Sequence, residues 1–166
     1  MPNLIPDIQT IENCIFCNKE ITASAFYATD QFSALYNIAP VLPGHSLIIP
    51  KKHYTSLSEL SDNELGEMMI FARKITTVLK AVFNCNGFDW TIQDGVSAGQ
   101  TIPHLHLHII PRKPFDITKG EEWYSKIPGN EAQMLDSLQR ERLNDHEYRA
   151  ITEKLAKAAA NLLQSG

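Results

Sequence analysis

The run His104-Leu105-His106-Leu107-His108-Ile109-Ile110 packs three of the chain's six histidines into five positions. Imidazole and apolar side chains alternate with a period of two. That predicts a strand with the histidines on one face and Leu105, Leu107 and Ile109 on the other. Alternate residues of a strand lie roughly 6.5 to 7 Å apart, so three rings can gather over one small ligand. Two chemistries fit such a face. Neutral imidazole is the commonest metal ligand, and zinc sites can be built on three histidines. Alternatively, one imidazole is a nucleophile whose neighbours fix its tautomer and handle the proton. The preceding segment, Gln93-Asp94-Gly95-Val96-Ser97-Ala98-Gly99-Gln100-Thr101, carries two glycines and two glutamines and ends just before the histidines. Such a loop can turn backbone N–H groups and side-chain amides toward an anion. Joined to the histidines, it reads as a site where an imidazole attacks a phosphate ester.

The stretch from Gln93 to Lys113, QDGVSAGQTIPHLHLHIIPRK, resembles the signature of the histidine triad (HIT) superfamily of nucleotide hydrolases and transferases. It is most similar to the fragile-histidine-triad branch. A second block, Ala34 to Pro50, resembles that family's upstream strand pair with its Pro43-Gly44-His45 turn. The likeness runs from about Cys14 to Lys113. It implies an HIT-like fold and hydrolysis of dinucleoside polyphosphates, diadenosine tri- or tetraphosphate, through a covalent nucleotidyl-histidine at His106. A main-chain carbonyl within the triad would hold the tautomer of His106. In the same reading His108 contacts the phosphate or leaving group, His104 completes the triad and His45 supports it. Asn37 meets the ribose, and Gln93, Gly99, Gln100, Thr101 and His108 hold phosphate. A nucleoside phosphoramidase or nucleotidyl transferase would use the same nucleophile. From other classes, a non-catalytic nucleotide-binding regulator or a zinc-structured interaction module remain as alternatives.

Cys14-Ile15-Phe16-Cys17 can be a buried pair, a disulfide, or half of a zinc site. A disulfide is uncommon in a reducing compartment, and a redox motif would need a strand leading into it. Zinc-containing branches of the superfamily carry such a pair. Resemblance to them implies a structural zinc on Cys14, Cys17, His53 and His104, with no cofactor required for the chemical step. The fragile-histidine-triad branch lacks these cysteines, so the chain combines features of two branches.

The surrounding elements must position these groups. A chain of 166 residues suits a single domain over 1–166. Its motif-bearing part is 14–113, and a helical extension occupies 114–166. The net charge of −4 and pI near 5.8 lack the basic stripe of a nucleic-acid or membrane-surface binder. Met1 to Thr10 has neither the basic start nor the apolar run of a signal peptide, and no segment has the length of a membrane span. A cytoplasmic protein is expected. Phe26–Thr29, Phe32–Tyr36, His45–Ile49, Phe88–Gln93 and the histidine run read as strands. Ser61-Asp62-Asn63-Glu64 is a capping box. It opens a helix with Leu65, Met68, Met69, Ala72, Ile75, Val78, Leu79 and Val82 at helical spacing. Lys51 and Lys52, with Arg112 and Lys113, supply positive charge at two strand ends expected near the site. Glu131–Leu143 reads as a helix, as does the segment after Asn144, with Tyr148, Ile151, Leu155, Ala158, Ala159 and Leu162 on one stripe. Trp123 and Tyr124 read as core anchors in preference to a cover for a base or partner. The fold class is α+β, an antiparallel sheet with a core-facing helix and a C-terminal helix. Edge strands needing cover and apolar residues beyond one stripe of the long helix point to a homodimer.

Overall fold

The computed structural model describes residues 14–114, 116 and 140–163. Five antiparallel strands form one sheet: β1 (Tyr27–Ala28), β2 (Phe32–Tyr36), β3 (Ser46–Pro50), β4 (Gly87–Ile92) and β5 (Leu107–Arg112), in the spatial order β1-β2-β3-β5-β4. β5 is therefore an inner strand, held by β3 through Leu47↔His108 and by β4 through Thr91↔His108.

Three α-helices lie among the described residues: α1 (Lys19–Ala23), α2 (Asp62–Phe83) and α3 (Asp145–Leu163). The capping box at Ser61 is formed in both directions, and α2 ends on Asn84 in the left-handed region at φ 50°. Asn tolerates that conformation better than most residues. Its inner face carries Met68, Phe71, Ala72, Ile75, Val78 and Leu79, all buried. They pack on Ala34, Ile48, Leu107 and Ile109 from the sheet, on Leu105 just ahead of β5, and on Leu155 and Ala159 from α3. Each fully buried Leu, Ile, Val or Met side chain among them stabilises by about 1.5–3 kcal/mol. The opposite face of the sheet is covered by a smaller cluster, Leu35, Leu47 and Ile49 with Cys14 and Phe16. The alternation of β2 and β3 thus feeds two layers, helices below and the 14–23 segment above.

Gly44 has φ 96°, and a Cβ there would stand 2.6 Å from the Pro111 side chain and 3.0 Å from Phe83. Only glycine meets both demands at once. Its N–H donates to the Tyr36 hydroxyl at 3.2 Å, which fixes how the chain enters His45.

Several expectations are corrected. The β5 ladder starts at Leu107 rather than His104, because both neighbours leave it there. Ile48 is the last β3 partner and Ile92 the last β4 partner of this end, each opposite Leu107. Strand β1 is shorter than Phe26–Thr29, although Phe26 and Thr29 still donate to Ala34 and Phe32. Leu65 and Met69 stand exposed on α2 while Phe71 joins the core, and on α3 Leu163 rather than the exposed Leu162 packs inward. Arg140–Leu143, at the end of the expected Glu131–Leu143 helix, is not helical. There the chain instead pairs with the loop after β2, Leu143 N–H donating to the Ile38 carbonyl at 2.9 Å. The rest of that helix, Trp123 and Tyr124 lie outside the described residues.

Candidate active site and metal cluster

His104, His106 and His108 are all buried, at 0, 2 and 0 % exposure. The face expected for chemistry is therefore enclosed, roofed by Phe16. That ring meets His104 and His106 edge-on, with centroids 5.7 and 5.3 Å away. In so dry a setting the hydrogen-bond partners decide which ring nitrogen carries a proton.

His106 Nδ1 lies 2.6 Å from the His104 carbonyl oxygen. A carbonyl only accepts, so Nδ1 carries the proton and Nε2 keeps the lone pair. His45 receives the Val41 N–H on its Nδ1 at 3.2 Å. Its proton then sits on Nε2 and is donated to His108 Nδ1 at 2.9 Å. By the same logic His108 carries its proton on Nε2. One ring thus offers a lone pair while its neighbour, with centroids 4.8 Å apart, is a donor. Burial above all, then the charges of Arg140 and His106, pushes the pKa of His45 down to about 3. The ring stays neutral at ordinary pH.

His104 is used differently. Its Nε2–H donates to the Pro50 carbonyl at 2.8 Å, which leaves Nδ1 facing the Sγ atoms of Cys14 and Cys17 at 3.4 and 3.6 Å. Cys17 Sγ is also 3.3 Å from His53 Nδ1. The four ligand atoms of Cys14, Cys17, His53 and His104 all lie within 4.8 Å of one another. Bond lengths of about 2.3 Å to sulfur and 2.0–2.1 Å to nitrogen put S···N separations in a tetrahedral site near ~3.5 Å. The donor set fits a metal ion of that geometry. Burial, followed by the Cys14 thiol alongside, pushes Cys17 up to about 11, and a bound cation reverses that preference for the thiol. Four protein ligands leave no open position, the pattern of a structural rather than a catalytic site. The Pro50 carbonyl is the outer partner that orients His104 for it.

The loop ahead of β5 turns at Gly95 (φ 90°) and Gly99 (φ 94°). Its amides largely shape the loop itself. Gln100 Oε1 accepts from Gly95 N–H at 2.8 Å and its Nε2 donates to the Thr55 carbonyl at 2.9 Å. Gln93 Nε2 donates to the Ala98 carbonyl at 3.0 Å. The Asp94 carboxylate accepts from Ser56 Oγ–H and Leu57 N–H, both at 3.1 Å. Thr101 follows directly and is exposed. Asn37, buried, accepts the Ala39 N–H on its Oδ1 at 2.9 Å.

The four basic residues do not share one place. Because β3 and β5 are antiparallel, Lys51 and Lys52 follow β3 at the His104 end. Arg112 closes β5 at the other end, opposite Gly87. Its guanidinium is engaged there by Asp116 through Nε and Nη2 at 3.0 and 3.1 Å and by Asp89 at 2.6 Å. Arg112 therefore staples the outer end of β5 rather than meeting an anion at the histidines. Two contributors to the site were not read from the sequence. The Val41 N–H has no side-chain signature, and Arg140, which donates to the Ala39 carbonyl at 2.8 Å, sits in the stretch read as helix.

A five-stranded antiparallel sheet whose inner strand β5 carries the buried His108, with the buried His104 and His106 in the run just ahead of it, defines a histidine triad protein. The HIT domain family model matches residues 18–115, and the chain belongs to that family. Within it, the chain is 39% identical over 119 residues to the asymmetrical bis(5'-nucleosyl)-tetraphosphatase of Schizosaccharomyces pombe, covering 72% of this chain and 65% of that enzyme. It is 34% identical over 174 aligned positions to the bifunctional bis(5'-adenosyl)-triphosphatase/adenylylsulfatase of Arabidopsis thaliana, covering 96% of each. Among solved structures, a hypothetical histidine triad nucleotide-binding protein of Sulfolobus tokodaii superposes with a TM-score of 0.71 at 27% identity, over 90% of this chain and 93% of that one. No helix among the described residues is long and apolar enough to cross a membrane.

Proposed function

We propose that this protein is an enzyme that hydrolyses dinucleoside polyphosphates, diadenosine tri- or tetraphosphate, by way of a nucleotidyl-His106 intermediate. The observation that carries this reading is the proton order of the buried rings, a lone pair on His106 Nε2 beside a donor on His108 Nε2. In the first step Nε2 attacks the α-phosphorus. The N–P bond forms as the P–O bond to the leaving polyphosphate breaks, and the leaving group departs with the electron pair. Positive charge developing on His106 is met by the His104 carbonyl through the Nδ1–H. His108 supports negative charge on the phosphate or the leaving oxygen, and His45 holds His108 in its tautomer. Water then attacks phosphorus, the N–P bond breaks, and a mononucleotide leaves. Splitting one displacement into two through an activated N–P bond is the gain of covalent catalysis. Asn37 is assigned to the ribose, and Gln93, Gly99, Gln100 and Thr101, with loop N–H groups, to phosphate oxygens. This last assignment needs Gln93 and Gln100 to exchange loop contacts for substrate.

The names of the relatives support the polyphosphate reading over a phosphoramidase or transferase, which would share His106. Competition between diadenosine triphosphate and an adenosine phosphoramidate in one reaction decides between them. The triphosphate is expected to be consumed first. Preferential loss of the phosphoramidate would overturn the assignment, and no turnover of either would favour a nucleotide-binding regulator.

A structural zinc ion on Cys14, Cys17, His53 and His104 is part of the same proposal. When bound, it would supply a cross-link between the N-terminal segment and the run ahead of β5, with no part in the chemical step. A cytoplasmic location fits Cys14, Cys17 and Cys85 all being free thiols, and Leu155 and Ala159 in the main core support 1–166 as one domain.

A symmetric homodimer completes the reading. Among the described residues β4 is an edge strand six residues long. Trp90 lies on its helix-bearing side with Phe88 and Ile92 and is 36% exposed, and Leu65, Met69 and Ile70 stand out from α2. An edge strand with exposed apolar neighbours calls for a partner. Sedimentation is expected to give twice the chain's 18.7 kDa, and Trp90→Lys to shift it toward monomer. A concentration-independent monomer mass for the unmodified chain would remove the dimer.

A further inference from the structure

Between β2 and β3 the chain makes a tight loop that begins with Asn37 and ends with His45. It is closed by Asn37 N–H on the His45 carbonyl at 2.9 Å and His45 N–H on the Leu42 carbonyl at 3.0 Å. Inside it, the Val41 N–H is the donor that makes His45 Nδ1 an acceptor. The outer side of the loop is gripped from a distant part of the chain. Arg140 Nε–H donates to the Ala39 carbonyl at 2.8 Å, and Leu143 N–H donates to the neighbouring Ile38 carbonyl at 2.9 Å. The two bonds seat 140–143 on Ile38–Ala39, two residues before Val41. Arg140 is the only side chain of the pair of contacts. The groups whose charge bears on His45 are Arg140 from this segment and His106 from ahead of β5, with His108 of β5 in direct contact.

We propose that Arg140 is a positioning residue, whose hydrogen bond to Ala39 holds the Val41 N–H on His45 and so keeps His108 as an Nε2–H donor. The inference rests on the hydrolase reading for its catalytic meaning but not for its geometry. The chain of cause is short. If Ala39 shifts outward, Val41 leaves Nδ1, His45 can place its proton on either nitrogen, and His108 loses its fixed partner. A donor aimed at substrate then becomes a mixture of donor and acceptor. The residue also lends its positive charge against protonation of His45, in the same direction as burial.

The test is imidazole nitrogen NMR on the full chain as purified, without substrate, together with steady-state kinetics. The unmodified protein is expected to show His45 and His108 each as one tautomer, protonated on Nε2. Arg140→Met, which removes the donor at similar length, should give mixed tautomers at both rings. Its kcat should fall by about tenfold, as for loss of an outer partner of a functional histidine, with KM nearly unchanged. Arg140→Gln is milder, keeping an N–H with a shorter reach, and should show the second tautomer at lower population. It carries the test if Arg140→Met does not fold. Unmodified tautomer patterns in the folded variants would overturn the proposal. Since the nitrogen signals need no substrate, absent turnover in the unmodified chain would count against the hydrolase reading and leave this test standing.

Discussion

Replacing His106 with alanine is expected to abolish turnover of a diadenosine polyphosphate, by a factor on the order of 10⁴ or more, as for removal of a covalent nucleophile. The chain should still fold. The lost ring gives up its hydrogen bond to the His104 carbonyl and its edge contacts with Phe16 and His108, while Leu105 and Leu107 keep their places in the main core. Nucleotide binding should largely survive, since the loop from Gln93 to Thr101 is held through Thr55, Ser56 and Leu57. His106→Asn, which keeps a polar group of similar reach, should be as inactive, because an amide nitrogen has no lone pair to give. Rates measured beside near-ultraviolet circular dichroism check this. A folded variant turning over near the unmodified rate would end the assignment of His106 as nucleophile.

The second large effect is on stability. Cys14→Ser with Cys17→Ser should lower the melting temperature by roughly 10 °C, a loss of a few kcal/mol in a chain of this size. The double variant removes half of the four-ligand set, and with it the tie between the 14–23 segment and the histidine run. Phe16 is seated between those ligands, so the roof over His106 should loosen as a secondary result and kcat should change less than stability does. Chelator should reproduce the drop in the unmodified chain and add nothing in the double variant. Elemental analysis should find close to one zinc per chain. Metal below about a tenth of an equivalent in protein purified without chelator, or cysteines that react freely with a thiol reagent, would sink the zinc proposal.

Most of the sheet and α2 were legible because they obey local rules. Short apolar and aromatic runs bounded by turn residues mark β2, β3 and β4, and the Ser61–Glu64 box marks the start of α2. The histidine face was legible for the same reason, since period-two alternation puts three like residues together whatever the partners. What could not be read is decided by neighbours distant in sequence. The beginning of β5 depends on where β3 and β4 leave it, and periodicity within 104–112 is blind to that. The placing of Arg112 followed from counting charges, while its partners Asp89 and Asp116 appear only once the strands are in register. Arg140 to Leu143 has helical spacing, but two hydrogen bonds to the Ile38–Ala39 carbonyls win over a weak local preference. The division of His104, ring to the cysteines and carbonyl to His106, leaves no mark on sequence.

Holding His45 neutral in the interior makes the fold answerable to acid. In an unfolded chain that ring takes up a proton near pH 6.5, whereas in the folded protein it resists until about pH 3. Between those values the unfolded state binds one more proton than the folded state. Stability is therefore greatest above pH 6.5 and falls as the medium is acidified, by roughly 1.4 kcal/mol for each pH unit contributed by one such group. Below about pH 3 this contribution levels off. The ring order that suits phosphoryl chemistry near neutrality thus makes acid a destabilising condition, and the melting temperature should fall progressively below pH 6.5.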